Sequence, residues 1–346
     1  MAYTTIDDPS AHFQTTTYTG NASDGHAITN SGNSNLQPDW LWIKKRSGSG
    51  KHVLVDSTRG VNKQLFSDGN DAEQTSTKFV ASLDSDGFTL NDSSSGSGDT
   101  NTTNGGTYVG WQWKANGGTT SSNTDGSITA TVQANTDAGF SIVTYTGTGS
   151  SSTAGHGLNS TPEIILSKSR NTDEQWALHT TVIDGSVDFL RISETDAKGN
   201  SSFSAPNSTV FPTRPNENYI TYIFHSVKGY SKFGSYTGNG NADGTFVYTG
   251  FKPAWIMLKR TDSTNNWNIF DSKRDVDNQV GNLLYANLTN AEEADASHSS
   301  ANDFLSNGFK LRETGNAVNG SGASYIYLAF AEHPFVSSKG VPVTAR

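Results

Sequence analysis

One pattern is written three times along this sequence, and a repeat of such long period constrains the architecture more than any single motif does. Each copy contains a Tyr-Thr-Gly triplet, and these begin at Tyr18, Tyr145 and Tyr236. Each triplet is followed by a proline that opens an apolar run, at Pro38, Pro162 and Pro253. A lysine stands six places after each proline, at Lys44, Lys168 and Lys259. The repetition predicts three tandem modules, at residues 1–118, 119–229 and 230–346.

Further positions recur in the same register, counted from the proline of each copy. Place fourteen holds a ring, and these rings are His52, Trp176 and Trp267. Places eighteen and twenty-one hold an acid and an arginine in the first and third copies, which are Asp56 with Arg59 and Asp271 with Arg274. The middle copy has Thr180 and Ile183 there, which argues against one ligand site shared by all three copies.

An all-β fold follows from the pattern inside each copy. Short alternating runs separated by turn residues, in a chain with 35 Gly and 9 Pro, are typical of antiparallel β-sandwiches. The runs PDWLWIKKR and HVLVD predict a β-hairpin. Trp40 and Trp42 alternate with apolar residues, so both faces of their strand should be buried. Residues 117–123 have linker composition, although the alternating run from Ile128 predicts a strand, and residues 289–304 are the one candidate helix, with a loop as the alternative.

Composition excludes several classes of function. The formal net charge is -9, from 24 Lys+Arg and 33 Asp+Glu, and a field of this sign repels nucleic acid and anionic membranes. The sequence has no cysteine, which excludes disulfides and cysteine-based metal sites. It has no uncharged apolar run as long as a membrane span. The first residues lack the pattern of a secretory signal, so we expect release by a route such as lysis.

Motifs for catalysis are sparse. Glycoside hydrolysis needs two carboxylates across a cleft, and the nearest approach is Glu194 with Asp196, in a run that leads into a turn. The sequence lacks a GxSxG elbow, a GxxxxGK[ST] loop and an HExxH motif. We therefore predict no catalytic, cofactor-binding or metal-binding residues and no enzymatic activity.

One oxygen-rich stretch resembles the start of a calcium loop. Asn239, Asn241 and Asp243 alternate as such a loop requires, but Gly250 occupies the place of the bidentate glutamate. A tight turn explains the same residues, so bound calcium is the alternative rather than the expectation. The histidines are scattered singly, and we expect surface or turn positions for them, at residues 12, 26, 52, 156, 179, 225, 298 and 333.

The recurrent charges and rings have structural explanations. In the hairpin, Lys44 and Asp56 should lie near one cross-strand diagonal, as should Lys259 and Asp271, so we expect ion pairs across the strands. The tryptophans at place fourteen follow the hairpin turn. Burial in the core is the expectation for them, and an exposed platform for a sugar is the alternative.

Several segments together resemble the repeat-bearing virion structural proteins of marine tailed bacteriophages, of the cyanophage and pelagiphage type. These segments are MAYTTIDDPSAHFQTTTYTG, GYSKFGSYTGNGNADGTFVYTGFKPAW and YIYLAFAEHPF. The resemblance covers essentially the whole chain. It implies modules similar to concanavalin A-like or laminin G-like jelly rolls, with loops gathered at the rims, and it carries over no catalytic residue.

The resemblance and the residues together predict a non-enzymatic virion surface protein, which is a tail fibre or appendage or a capsid decoration. Weak multivalent binding to the host surface is a further role that such repetition would serve. A carbohydrate-binding lectin is the alternative, and a polysaccharide-degrading sandwich enzyme is a third reading.

The expected partners are other virion proteins, host-surface glycans and further copies of the chain, with a trimer as the guess. Nucleic acid and membranes are not expected partners. No cofactor is expected, and the expected location is the virion, which is made in the host cytoplasm and released at lysis.

Overall fold

The structure is a computed structural model, and it describes residues 2–94, 98–149, 151–294 and 300–342. The described chain folds into antiparallel strands, with one turn of 3-10 helix at Pro9–Ala11. The predicted all-β fold is therefore confirmed. No helix in these ranges has the length and apolar character needed to cross a bilayer. We call residues 1–118, 119–229 and 230–346 the first, second and third segments.

The strands are numbered in chain order. Those of the first segment are β1 (Phe13–Thr19), β2 (His26–Thr29), β3 (Trp40–Lys45), β4 (Val53–Asp56), β5 (Lys63–Gln64), β6 (Gln74–Thr75), β7 (Val80–Asp84), β8 (Gly87–Leu90) and β9 (Thr107–Trp113). Those of the second are β10 (Ser121–Asn123), β11 (Ala130–Asn135), β12 (Phe140–Thr146), β13 (Thr153–Gly155), β14 (Ile164–Ser169), β15 (Ala177–Thr180), β16 (Asp188–Arg191), β17 (Gly199–Asn200), β18 (Val210–Pro212) and β19 (Asn218–Phe224). Those of the third are β20 (Ser231–Thr237), β21 (Phe246–Tyr248), β22 (Phe251–Arg260), β23 (Trp267–Asp271), β24 (Leu284–Tyr285), β25 (Asn302–Leu305), β26 (Gly308–Leu311) and β27 (Ser324–Pro334).

A main sheet with the same strand order forms in each segment. The orders are β1-β9-β3-β4, β12-β19-β14-β15 within an eight-stranded sheet, and β20-β27-β22-β23 followed by β24. Strands β9, β19 and β27 contain the aromatic runs YVGWQW, YITYIF and YIYLAF. In each main sheet this strand lies between the Tyr-Thr-Gly strand and the strand that follows or contains the proline. The predicted hairpin is confirmed, since Trp40 pairs with Asp56 and Ile43 pairs with Val53.

A smaller sheet covers the outward face of each main sheet, with the orders β2-β8-β7, β13-β18 and β21-β26-β25. Each smaller sheet encloses an outer core of its own against the main sheet, which is the packing of a β-sandwich. The first and third segments share the sequence Gly-Phe-x-Leu, which forms β8 and β26. A Cβ atom added at Gly87 or Gly308 would lie 2.0 Å from Ile28 O or 2.1 Å from Val247 O. Glycine is therefore required where these strands approach each other.

The inward faces of the main sheets share one common core, to which all three segments contribute. Ring contacts join each pair of segments, with centroid distances of 4.2 Å for Trp40–Tyr222, 5.8 Å for Trp113–Trp255 and 5.7 Å for Phe224–Phe330. Each main sheet is thus buried on both faces, which is why its strands read as nearly continuous apolar runs. The three segments pack against one another, because their inward faces cover each other in the common core.

Two local predictions need correction. In the candidate helix at residues 289–304, Glu293 forms an isolated bridge with Leu283, and the end of the stretch is strand β25. Residues 295–299 lie outside the described residues, and the loop alternative fits the remainder. The predicted linker at 117–123 is only partly right, because Ser121–Asn123 pairs with β11 at the edge of the eight-stranded sheet. The strand predicted from Ile128 is confirmed as β11.

Candidate functional site

The recurrent lysines do not make the predicted ion pairs. The hairpin register places Asp56 opposite Trp40, at the far end of β3 from Lys44, so the predicted cross-strand pair is wrong. The third segment has the same register, in which Lys259 lies opposite Trp267. The prediction failed because Lys259 lies opposite a residue four places before Asp271, whereas a cross-strand diagonal requires an offset of two.

Each recurrent lysine is buried, and its ammonium group donates to main-chain carbonyl oxygens. Lys44 Nζ lies 2.9 Å from the carbonyl oxygen of the next residue and 3.2 Å from Thr289 O in the third segment. Lys259 Nζ lies 2.6 Å from the next carbonyl oxygen and 3.2 Å from Thr195 O in the second segment. Burial lowers the pKa of Lys44, Lys168 and Lys259 to about 8. Two of these lysines therefore join segments.

The rings at place fourteen also join segments, and the platform alternative for the tryptophans is wrong because both are fully buried. Each ring donates a hydrogen bond to a carbonyl oxygen of another segment. The distances are 2.9 Å from His52 Nε2 to Tyr285 O, 2.8 Å from Trp176 Nε1 to Phe66 O and 2.9 Å from Trp267 Nε1 to Arg191 O. His52 Nδ1 accepts from Trp42 Nε1 at 2.7 Å, which assigns the proton to Nε2. Burial lowers the pKa of His52, so the ring is neutral.

A buried ionic cluster joins the first and second segments. Arg59 Nε lies 2.6 Å from Asp56 Oδ2, and its Nη1 lies 3.0 Å from Glu73 Oε2. Glu73 also accepts from Arg170 of the second segment at 2.8 and 3.0 Å, and Tyr222 Oη donates to Asp56 at 2.7 Å. Burial opposes the charge on Glu73, but the two arginines hold the pKa of its carboxyl below the ordinary value. A main-chain bond from Glu73 N to Arg170 O, 2.9 Å long, completes the contact.

The same cluster recurs between the third and first segments. Arg274 Nε lies 2.6 Å from Asp271 Oδ2, and its Nη1 lies 2.9 Å from Glu292 Oε2. Arg46 of the first segment forms a bidentate pair with Glu292, with both distances 2.8 Å. Trp111 Nε1 donates to Asp271 at 3.0 Å, in the role that the tyrosine hydroxyl has in the other cluster. The main-chain bond from Glu292 N to Arg46 O is again 2.9 Å.

The contact between the second and third segments keeps the main-chain bond but has no aspartate and arginine at the recurrent places. Lys198 N lies 2.8 Å from Thr261 O. Ile183 packs against the common core where the other segments have the arginine, and Thr180 Oγ1 donates to a carbonyl oxygen of its own segment at 2.7 Å. In the middle copy a hydroxyl and an apolar side chain thus replace the acid and the arginine of the same contact.

The nearest carboxylate pair of the sequence lies in a turn. Asp196 is exposed and forms an ion pair of 3.0 Å with Arg191. Glu194 N donates to Arg191 O within the same turn. Neither carboxylate lines the clefts described below.

The calcium-like stretch forms a turn whose oxygen atoms have partners within the chain. Asn239 Oδ1 accepts from Asn241 N, and Asn241 Oδ1 accepts from Asp243 N. Asp243 pairs with Lys310. Across residues 2–94, 98–149, 151–294 and 300–342, no group of three or more His, Asp or Glu side chains is placed to hold a metal ion.

The expectation of surface or turn positions fails for three histidines. His52, His156 and His179 are buried, and burial lowers the pKa of His179 to about 4. These rings therefore stay neutral and belong to the packing. His298 lies outside the described residues.

Two clefts flank the loop that follows β23. One, of about 230 Å³, lies between the first and third segments and is lined in part by Gln14, Lys273 and His333. The other, of about 240 Å³, is lined in part by Asp275 and Asp277. Asp275 Oδ2 accepts from the main-chain amides of Gly281 and Asn282 at 2.8 and 2.6 Å, so this carboxylate serves the loop.

The sheets and the common core extend over most of the chain, and the comparison with protein families covers the same range. The family model described as Domain of unknown function (DUF7483) matches residues 8–334. The chain belongs to this family. The match begins before β1 and ends with β27, so the DUF7483 domain contains all three main sheets. Comparison with curated proteins and with solved structures found no match.

Sequence reasoning missed one surface of the DUF7483 domain. Phe246 and Tyr248 are 44% and 55% exposed, and both lie on strand β21. The short run Phe-Val-Tyr alternates as a strand should, but the pattern does not indicate which face is covered. A signal existed in the first segment, where the corresponding strand β2 has Ala27 and Thr29 at the outward positions.

Proposed function

We propose that this chain is a non-enzymatic structural protein of a bacteriophage virion surface, either a tail appendage or a capsid decoration. The observation that carries the proposal is the use of the recurrent positions. The rings at place fourteen and two of the lysines bond to main-chain atoms of other segments, and the acid and arginine of two copies form buried clusters between segments. The positions that recur in the sequence are thus the ones that hold the three segments together.

Rigidity supports the structural role. A particle surface needs a part that keeps its shape while it bears load, and a common core covered by three sandwiches provides such a part. The resemblance of the sequence to virion proteins supports a location on the virion surface. Assembly with other virion proteins and self-association, with a trimer as the guess, belong to the same proposal.

The proposal is tested on phage particles from a host that carries the gene. Particles are purified by density gradient, and the protein is sought by mass spectrometry and by immunogold labelling with an antibody to the purified chain. The expected result is a constant copy number per particle and gold at one position on the particle surface. Its absence from intact particles, with presence in uninfected cells, would overturn the virion role.

The non-enzymatic part is tested separately with purified protein. Incubation with polysaccharide from the host surface should release no reducing ends above the level of a heat-denatured sample. Release that depends on Glu194 or Asp196, the nearest carboxylate pair, would replace the structural proposal with a hydrolase.

A further inference from the structure

Strand β21 presents an aromatic pair to solvent. Phe246 and Tyr248 are two places apart on one strand, so their side chains lie on the same face. Val247 between them is buried and points into the outer core of the third segment. Among the described residues, the other large apolar side chains with comparable exposure are aliphatic, Val276 and Val341.

The surroundings hold the two rings in place. Tyr248 Oη lies 3.1 Å from Tyr3 Oη, and Tyr3 Oη in turn donates to Gly250 O at 2.9 Å. Phe246 lies over Gly308, where an added Cβ would approach its ring to 3.1 Å. Rings fixed before binding lose little conformational entropy when a ligand arrives.

The other segments show that the fold does not require aromatic residues here. Val247 pairs with Phe309 in the third segment, as Ile28 pairs with Phe88 in the first. The positions on either side of Ile28 are Ala27 and Thr29, and those on either side of the corresponding Ala154 of β13 are Thr153 and Gly155. Packing of the sandwich therefore does not explain why the third segment has two aromatic residues on this strand.

The size and charge of the patch indicate its occupant. Two half-exposed rings offer on the order of 200 Å², whereas a stable protein interface buries about 800 Å² on each partner. Lys310, which lies beside Phe246 in the sheet, is paired with Asp243, so the patch presents no unpaired cation from this strand pair. The net charge of -9 disfavours an anionic polymer.

We propose that the outward face of β21 binds a neutral glycan, with pyranose rings stacked on Phe246 and Tyr248. The partly positive C–H groups of a sugar face match the negative face of an aromatic ring. This binding goes beyond the structural role proposed above and does not depend on it, because it concerns purified protein and a free oligosaccharide.

The test uses calorimetric titration of the full chain with cellohexaose, laminarihexaose, mannohexaose and chitohexaose, and with an oligogalacturonate as the anionic comparison. At least one neutral hexasaccharide should bind with Kd between about 0.1 and 1 mM. The double variant Phe246→Ala/Tyr248→Ala should bind that sugar at least about tenfold more weakly. Its melting temperature should stay within about 2 °C of the parent, since both side chains are exposed.

Matched variants come from the first segment. Thr29→Ala should leave binding unchanged, and Ala27→Phe/Thr29→Tyr in the double-alanine background should restore part of it. Failure of every neutral sugar to bind, or equal binding by the double-alanine variant, overturns the proposal. Self-association of the parent that the double-alanine variant abolishes, with no sugar binding, also overturns it and assigns the face to a second copy.

Discussion

Two contacts between segments share a main-chain hydrogen bond but differ in the side chains around it. Between the third and first segments, Arg274 lies in a buried cluster with Asp271 and Glu292. Between the second and third segments, Ile183 stands at the corresponding place and packs against the common core. Both contacts keep a main-chain hydrogen bond of 2.8 to 2.9 Å at the corresponding position. The main-chain geometry of this contact is therefore shared, and the side chains around it differ.

The largest effect is expected from removing the arginine of a cluster. Arg274→Ala leaves the buried carboxylate of Asp271 without a cation, while Glu292 keeps its pair with Arg46, and breaking a buried pair in this way costs about 3–5 kcal/mol. The measurement is the free energy of unfolding in urea. The control is Arg260→Ala, which breaks the more exposed pair with Asp262 and should cost less than about 1 kcal/mol. Equal losses would show that the charged contact does not differ from an ordinary surface pair.

A smaller effect is expected from the ring bonds that all three contacts share. Trp176→Phe keeps an aromatic ring but removes the donor to Phe66 O, and an unsatisfied buried carbonyl costs about 1–3 kcal/mol. Trp255→Phe is the matched control, because its buried Nε1 has no hydrogen-bond partner among the described residues. Thermal unfolding of both variants should give the larger loss for Trp176→Phe, and the reverse order would contradict the assigned role.

The two chemistries can be exchanged. Asp56→Thr/Arg59→Ile copies the residues of the middle segment into the first, and it removes acid and base together. The double variant should be more stable than Arg59→Ile alone by about 1–3 kcal/mol, because Arg59→Ile alone leaves the carboxylate of Asp56 buried without its cation. A double-mutant cycle in urea measures this coupling. Additive losses of unfolding free energy would mean that Asp56 and Arg59 do not stabilise the protein as a pair.

The buried lysines predict that the free energy of unfolding depends on pH. Burial lowers the pKa of Lys168 from an ordinary 10.5 to about 8, so the unfolded chain binds more protons between these values. Stability should therefore rise with pH from about 8 toward 10, because the cost of the buried charge is removed there. Above that range the tyrosines oppose the trend, because burial raises the pKa of residues such as Tyr145, and the folded state then retains more protons. Urea unfolding at pH 7.5 and 9.5 should show a smaller rise for Lys168→Met than for Lys78→Met, an exposed control.

The smallest effect is expected at the exposed end of the second segment. Asp196→Asn removes the pair with Arg191, in which the side chains are 56% and 37% exposed. The change in unfolding free energy should be below about 0.5 kcal/mol. A loss as large as that of Arg274→Ala would mean that the carboxylate of Asp196, and not only the main chain of this turn, stabilises the contact between segments.

Much of the fold could be predicted from the sequence. Alternation and turn residues carry local information, so the hairpin of β3 and β4 and the strand β11 were predicted correctly. The burial of Trp40 and Trp42 was also correct, because a strand that is apolar on both faces has to be covered on both. The errors concern register and partner. The ion pair of Lys44 with Asp56 failed because a turn of uncertain length decides which residues face each other.

The strand pattern and its recurrence follow from the sequence alone, because alternation and turn chemistry act between neighbours in the chain. Which atoms the recurrent side chains contact depends on the tertiary structure. Trp176 bonds to a carbonyl oxygen in the first segment, and the exposure of Tyr248 follows from what the surrounding sheets leave uncovered. Such contacts join residues that are far apart in the chain, so they depend on how whole sheets pack and not on local spacing.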